Sequence, residues 1–298
     1  MRPLEPLRWT AAAAKRLEDA AARKTGAFLL EGFKAVEDAL ERPGVRVREV
    51  WLAEDLPRET ADTIGRAAMR RDVRLGHASA RDLVRVSDTV APQGVLAWAD
   101  DVAWSVDDLV SGAKGPLLLL DGVQDPGNVG AVIRVAAAFG ASGLLVGEGT
   151  ADPLGPKALR ASAGTAVFVP FARGPVPALV ESIARAGHPI WLLEPDGEPI
   201  WDVTARPRVV VLGVGSEGRG PSEALRRAAV RRVAIPISPA VESLNAAVAV
   251  GIVAAHVSRL PIGRPPPALP GPKRPSSPAS RPGTHPGASG GARPRGAR

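Results

Sequence analysis

The clearest sign of chemistry in this sequence is an arginine set in an otherwise apolar helical pattern. Arg134 lies in NVGAVIRVAAAFG, among Val, Ile and Ala. A lone guanidinium is costly to bury without a partner, so it must emerge at a cleft or meet an anion. Six residues upstream, Asn128 ends Asp125-Pro126-Gly127-Asn128. It stands where a helix N-cap belongs, and capping is its simplest role. A second loop, in VVVLGVGSEGRGPSEALRRA, sets Glu217 among Gly213, Gly215, Gly218 and Gly220, with Pro221 suited to a first helical turn. A third follows RVAIPI, where Glu242-Ser243-Leu244-Asn245 precedes a run of small apolar residues. Ser243 reads equally well as a plain helix-start residue.

Gly213-x-Gly215-x-x-Gly218 formally matches a dinucleotide fingerprint. That reading needs an acid at the end of the next strand, and AIPISPA has none. Glu217 inside the loop would also repel a pyrophosphate. The loop is therefore expected to approach a ligand closely, but not a diphosphate. Metal chemistry is not expected. There is no cysteine, and the four histidines (His77, His188, His256, His285) lack ligand spacing.

These loops need a scaffold. In residues 116–260, apolar strand candidates (LLLLDGV, GLLVGE, AVFVPF, PIWLLEP, RVVVLGVG, RVAIPI) alternate with helix candidates (NVGAVIRVAAAFG, KALRASAG, VPALVESIARAG, PSEALRRAAV, ESLNAAVAVGIVAAHVSRL). Such alternation predicts an α/β domain with a mostly parallel sheet and helices on both faces, its ligands beyond the strand C-termini. Residues 1–100 predict a smaller α/β domain: helices in TAAAAKRLEDAAARK, FKAVEDALER (stopped by Pro43-Gly44), RETADTIGRAAMRR and RDLVRVS, and strands in FLLEG, VRVREVWLA and GVLAWAD. Residues 101–115 read as linker. Residues 261–298 hold eleven prolines and few large apolar side chains, and read as a disordered basic tail.

The net charge of +7 is not spread over the chain. Lys+Arg and Asp+Glu balance at 17 each in 1–105 and 14 each in 106–260, against 7 and 0 in 261–298. Bulk charge therefore says little about RNA binding by the folded part, and local patches must carry that argument. No apolar stretch is long enough to span a bilayer and no signal peptide is visible, so a cytoplasmic protein is expected.

Taken together, the three loops resemble the three motifs of the SpoU (TrmH-type) 2'-O-ribose methyltransferases of the SPOUT superfamily. The order and spacing match: Asn-x-Gly-Ala-x-x-Arg, then Gly-x-Glu-Gly-x-Gly, then Ile-Pro followed by Glu-Ser-Leu-Asn. The resemblance covers about residues 116–260. GAFLLEGFKAVEDAL, within 20–100, resembles the ribosomal-protein-L30e-like substrate-binding domain often placed in front. Two positions depart from the pattern: Val135 where Thr is frequent, and Pro239 where Gly is frequent.

The resemblance implies a deep trefoil knot, a homodimer with its site near the subunit interface, and S-adenosylmethionine as methyl donor. Leu212, Gly213, Gly215, Gly218, Ile235, Ile237 and Leu244 are the implied cofactor contacts. Arg134 is the implied catalytic residue, assisted by Asn128, Glu217, Ser243 and Asn245. Arginine is an awkward base, because its pKa exceeds about 12. Clamping an RNA phosphate, stabilising the developing alkoxide, or passing the proton to the phosphate all stay open. Asn128 is expected to orient Arg134 or the ribose, and Glu217 to order the glycine loop or meet a cation. Ser243 and Asn245 are expected to position the nucleotide or the arginine. Arg23, Lys24, Lys34 and Arg160 are candidate phosphate contacts, against the plainer reading of a solvated charged surface. Ribosomal RNA of the large subunit is the expected substrate and transfer RNA the alternative. A nicotinamide-dependent enzyme and a non-catalytic RNA-binding or ribosome-assembly protein are the competing readings.

Overall fold

A computed structural model describes residues 7–42, 45–87, 89, 92–101 and 104–262. Pro43-Gly44 and nearly all of the expected tail lie outside the described residues. The N-terminal part comprises β1 (Leu7–Arg8), α1 (Ala11–Ala21), β2 (Ala27–Glu31), α2 (Phe33–Glu41), β3 (Val47–Ala53), α3 (Arg58–Arg70), β4 (Arg74–Ala78), α4 (Ala80–Val86) and β5 (Val95–Asp100). Its five strands run in the order β1-β4-β3-β5-β2. β1, β4 and β3 are parallel, and β5 is antiparallel to β3 and β2. Two strands were not expected from the sequence. β1 has two residues, and β4 mixes Arg74, Gly76 and His77 into its pattern.

The expected linker holds a helix, α5 (Val106–Ser111), which the Ser105 side chain caps by accepting from the Asp108 amide. Leu109 and Val110 are buried in the core that follows, so this segment is part of the second domain's packing. That domain continues with β6 (Leu117–Asp121), α6 (Pro126–Ala138), β7 (Gly143–Gly147), α7 (Pro156–Ala161), β8 (Phe171–Gly174), α8 (Val176–Arg185), β9 (Ile190–Pro199), β10 (Val211–Gly215), α9 (Glu223–Ala228), β11 (Ala229–Ala234) and α10 (Ala246–Arg259). AVFVPF is not one strand. A 3-10 turn occupies Thr165–Val167, entered through Gly164 at φ 80°, and the strand starts only at Phe171.

The six strands form a parallel sheet in the order β11-β9-β10-β6-β7-β8. The LLLL run of β6 shows why the strands are apolar throughout. Leu117 and Leu119 face one core with Leu109, Leu179 and Leu225, while Leu118 and Leu120 face another with Val129, Val132, Ile133 and Val250. Successive side chains point to opposite faces, and helices cover both.

Charge ties the N-terminal domain to the second. Arg23 donates through Nε to Asp152 Oδ2 (2.6 Å) and through Nη2 to Asp101 Oδ2 (2.6 Å). Arg173 donates to Asp152 Oδ1 (2.7 Å) and Asp101 Oδ2 (3.4 Å). Arg23 holds this position at φ 56°, a left-handed conformation unfavourable for a side chain with a Cβ. Nearby, the Arg42 guanidinium lies 3.8 Å from the Phe168 ring centroid. Burial pushes the Asp152 carboxyl up, but hydrogen bonds from Arg23, the Leu154 amide and Arg173 outweigh it and hold the group below its ordinary range.

A folded-state pKa below the unfolded one adds stability above the unfolded value, and that stability is lost as pH falls through the folded value. Asp152→Asn is therefore expected to lower the melting midpoint by about 2–4 °C at pH 7. The gap to wild type should start to narrow as pH falls below about 4 and vanish only below the lower folded-state value. Calorimetric melts of both proteins from pH 3 to 8 check this, and a gap independent of pH refutes it.

Candidate active site

The three loops meet at the C-terminal ends of β6, β10 and β11. Asp125, not Asn128, caps α6: its Oδ1 accepts from the Gly127 amide (2.7 Å) and from Lys157 Nζ (3.0 Å). The Gly127 amide, and next Lys157, hold the Asp125 carboxyl below its ordinary range. With Pro126 first in the helix, Asn128 is third, and its side chain is free to reach outward. Asp121, buried at the end of β6, accepts from the Ser222 amide at 2.6 Å and so pins the start of α9 beside the glycine loop.

The glycine loop closes on itself. Ser216 and Gly220 exchange backbone hydrogen bonds of 3.2 and 2.9 Å, with Gly220 at φ 68°. A Cβ on Gly215 would lie 2.1 Å from the Pro221 nitrogen, so no side chain fits there. Asn245 caps α10, its Oδ1 accepting from the Ala247 (2.9 Å) and Val248 (3.3 Å) amides. The helix begins after Asn245, and Ser243 stays in the preceding loop, exposed.

A directed hydrogen-bond chain links the loops. Asn245 Nδ2 donates to Asn128 Oδ1 (2.8 Å), and Asn128 Nδ2 donates to Glu217 Oε1 (2.6 Å). Its direction is set at one end by backbone amides that can only donate, and at the other by a carboxylate that accepts. Thus Asn128 holds Glu217 and Asn245. Among the described residues it makes no hydrogen bond to Arg134, and Glu217 meets an amide and no cation. Arg134 is exposed on α6 with no hydrogen bond or ion pair among the described residues. Val135 beside it faces α10, where a Cβ added at Gly251 would lie 3.6 Å from Val135 Cγ2.

Beside this chain opens a cleft of about 740 Å³, lined among others by Leu193, Val214, Gly215, Glu217, Ile235, Ile237, Glu242, Ser243, Leu244 and Asn245. That volume suits a small-molecule ligand. Of the expected cofactor contacts, Gly215, Ile235, Ile237 and Leu244 line the cleft. Leu212 and Gly213 are buried behind it, and Gly218 stands in open space. Glu194 and Arg226 also line the cleft, and the sequence reading had passed over both. The one available signal was an acid closing the apolar strand PIWLLEP.

Among the described residues the charged lining is Glu194, Glu217, Glu242 and Arg226. A diphosphate would meet net negative charge there. A nucleoside carrying a sulfonium and an amino-acid end fits that charge better, and Leu193, Val214, Ile235 and Leu244 give the cleft an apolar lining. No group of three His, Cys, Asp or Glu that could hold a metal is found among the described residues.

The expected RNA contacts fare differently. Arg23 is paired with two carboxylates of its own chain, Asp101 and Asp152, and joins the domains. Lys24 is exposed. Lys34 and Arg160 line one cleft of about 400 Å³ between the two domains, Lys34 with Asp38 (3.0 Å) and Glu37 (3.3 Å) as ion partners.

Comparison with known proteins agrees with this geometry. The model described as the SpoU rRNA Methylase family matches residues 116–255. That described as RNA 2'-O ribose methyltransferase substrate binding matches residues 29–103. The chain is 32% identical over 235 residues to the 23S rRNA (guanosine(2553)-2'-O)-methyltransferase RlmP of Bacillus subtilis, covering 78% of this chain and 89% of that protein. A TrmH-family RNA methyltransferase structure from Porphyromonas gingivalis aligns with a TM-score of 0.73 at 30% identity, over 84% of this chain and 98% of its own. The SpoU methyltransferase AviRb of Streptomyces viridochromogenes, solved with S-adenosylmethionine, aligns with a TM-score of 0.72 at 26% identity, over 84% and 98%. The chain belongs to the SpoU family of RNA methyltransferases, with that family's substrate-binding domain in front of the catalytic one.

Proposed function

We propose that this protein methylates a ribose 2'-hydroxyl of structured RNA, with 23S ribosomal RNA as substrate and S-adenosylmethionine as donor. The observation that carries this reading is the chain Asn245–Asn128–Glu217, which gathers all three loops at the mouth of a nucleoside-sized cleft. The likeness to RlmP supports the choice of RNA. Gly215, Ile235, Ile237 and Leu244 would hold the cofactor through backbone groups and apolar contact. When bound, S-adenosylmethionine supplies an electrophilic methyl group.

The chain's own residues do the rest. The hydrogen-bond chain keeps the glycine loop and the α10 start at fixed separation, so that nucleophile and methyl group can be held in line. Arg134 supplies a permanent cation for an RNA phosphate and for charge developing on the ribose oxygen. Arg134 does not line its own chain's cleft, which supports a homodimer in which a second copy completes the site. Ile237, Val241 and Val248 are exposed apolar residues on the same loop and helix. The trefoil knot and a cytoplasmic location belong to the same reading. Among the described residues, no helix is long and apolar enough to cross a membrane.

The test is transfer of labelled methyl to deproteinised 23S RNA, ribosomal subunits and transfer RNA, followed by mass-spectrometric mapping of 2'-O-methyl positions. Label at one ribose of 23S RNA is expected. Label in transfer RNA alone would replace the substrate, and no label in any RNA would leave a binding protein.

A further inference from the structure

Glu194 ends the apolar part of β9 and is 7% exposed, yet it lines the cofactor cleft. Both its oxygens are occupied. Arg226 Nε of α9 donates to Oε1 at 2.9 Å, and Arg232 Nε of β11 donates to Oε2 at 2.7 Å. A buried carboxylate with each oxygen tied to an arginine in this way is committed to its own chain. It is a mount for the two guanidinium groups. Arg232 turns its Nη2 away to Asp196, at 2.5 and 2.6 Å. Among the described residues Arg226 has no second carboxylate partner. Its Nε is fixed on Glu194, and its Nη1 and Nη2 make no hydrogen bond among the described residues. Nη2 would lie 3.0 Å from a Cβ on Gly220, so the glycine loop passes directly over it. Among the described residues lining the cleft, Arg226 is the single cation.

From this, and resting on the function proposed above, we infer that Arg226 is the cofactor's carboxylate anchor: it binds the α-carboxylate of the amino-acid end of S-adenosylmethionine and selects for donors that carry one. The charge pattern agrees. The donor has a sulfonium, an ammonium and one carboxylate, and the cleft offers Glu217 and Glu242 to the first two and Arg226 to the third. Holding Nε on Glu194 leaves the two Nη groups as a pre-aimed fork for a planar anion. It also gives Gly220 a second reason to be glycine, besides its φ of 68°. Arg226 is a binding and specificity residue and takes no part in methyl transfer itself.

Calorimetric titration of the full chain with S-adenosylmethionine and with its decarboxylated derivative, without RNA, tests this. The derivative keeps the sulfonium and the amine and lacks only the carboxylate. Wild type should favour the intact donor by at least about tenfold, the value of one charge-assisted pair. Arg226→Gln should bind the two forms within about threefold of each other, with affinity for the decarboxylated form held near wild type. Arg226→Lys, which keeps a charge but loses the fork, should recover part of the preference. A wild type without preference overturns the inference with no variant needed. So does Arg226→Gln weakening both ligands alike, as a merely structural tie between β9, α9 and β11 would, or leaving both unchanged, as a contact to RNA phosphate would. Wild type that binds neither form overturns the proposed function, and this inference with it.

Discussion

Arg134→Ala is expected to lower methyl transfer to RNA by about 10²–10³-fold, the loss typical when a charge-stabilising donor is removed from a reacting oxygen. The fold should not notice. Arg134 is exposed on α6 and engages no described residue, and surface changes of that kind stay within about 0.5 kcal/mol. Arg134→Lys tests which property matters. Lysine keeps the positive charge but loses the planar fork, so a bidentate grip on phosphate predicts that it stays closer to alanine than to wild type. Single-turnover transfer at saturating donor, with calorimetric affinity for the donor measured alongside, separates chemistry from cofactor binding. Near-wild-type turnover in Arg134→Ala would remove the arginine from the reaction. A matching loss of donor affinity would move it into the cofactor site.

The scaffold was legible where burial is two-sided. LLLL of β6 and the Val- and Leu-rich strands beside it can only be central parallel strands, and they are. It was less legible where tertiary contacts override local pattern. β4 is a strand because β3 and β1 flank it, although RLGHA has a glycine at its centre. AVFVPF has strand composition, but Gly164 in the left-handed region turns the chain before it. DVAWSVDDLV contained its own helix signal in Ser105, which caps the helix, and Asp108 in its first turn.

The site divides in the same way. Residue types and loop order named Asn128, Glu217 and Asn245, but who bonds to whom spans 89 and 117 residues and no local pattern encodes it. The ion pairs of Arg23 were hidden for the same reason: its partners Asp101 and Asp152 lie 78 and 129 residues away. The pairing of Glu194 with Arg226 was invisible, because a buried acid and an exposed arginine become a pair only once β9 and α9 are adjacent.

Asn128→Asp, a change of one amide to one carboxylate, is expected to cost more than Asn128→Ala. Alanine removes two hydrogen bonds, each worth about 1 kcal/mol, and lets Glu217 and Asn245 turn to water. Aspartate keeps the acceptor that Asn245 needs but faces the Glu217 carboxylate with a second one, at a contact now 2.6 Å long. Like charges that close cannot both stay ionised in place, so the glycine loop must swing away. Donor affinity and transfer should fall by about 10²-fold, against about tenfold for alanine. The direction of the chain predicts a rescue. Adding Glu217→Gln to Asn128→Asp supplies a donor where the carboxylate stood, and the new aspartate accepts from both neighbours. The double variant should regain most of what Asn128→Asp lost, while Glu217→Gln alone, which can still accept through its amide oxygen, keeps the brace and should lose only the donor affinity that the Glu217 charge supplies. If the double variant is no better than Asn128→Asp, the negative charge of Glu217 itself is needed, and the chain is more than a brace between loops. If Asn128→Asp behaves like wild type, the polarity read from the three side chains is wrong, and the loops are held together by something else.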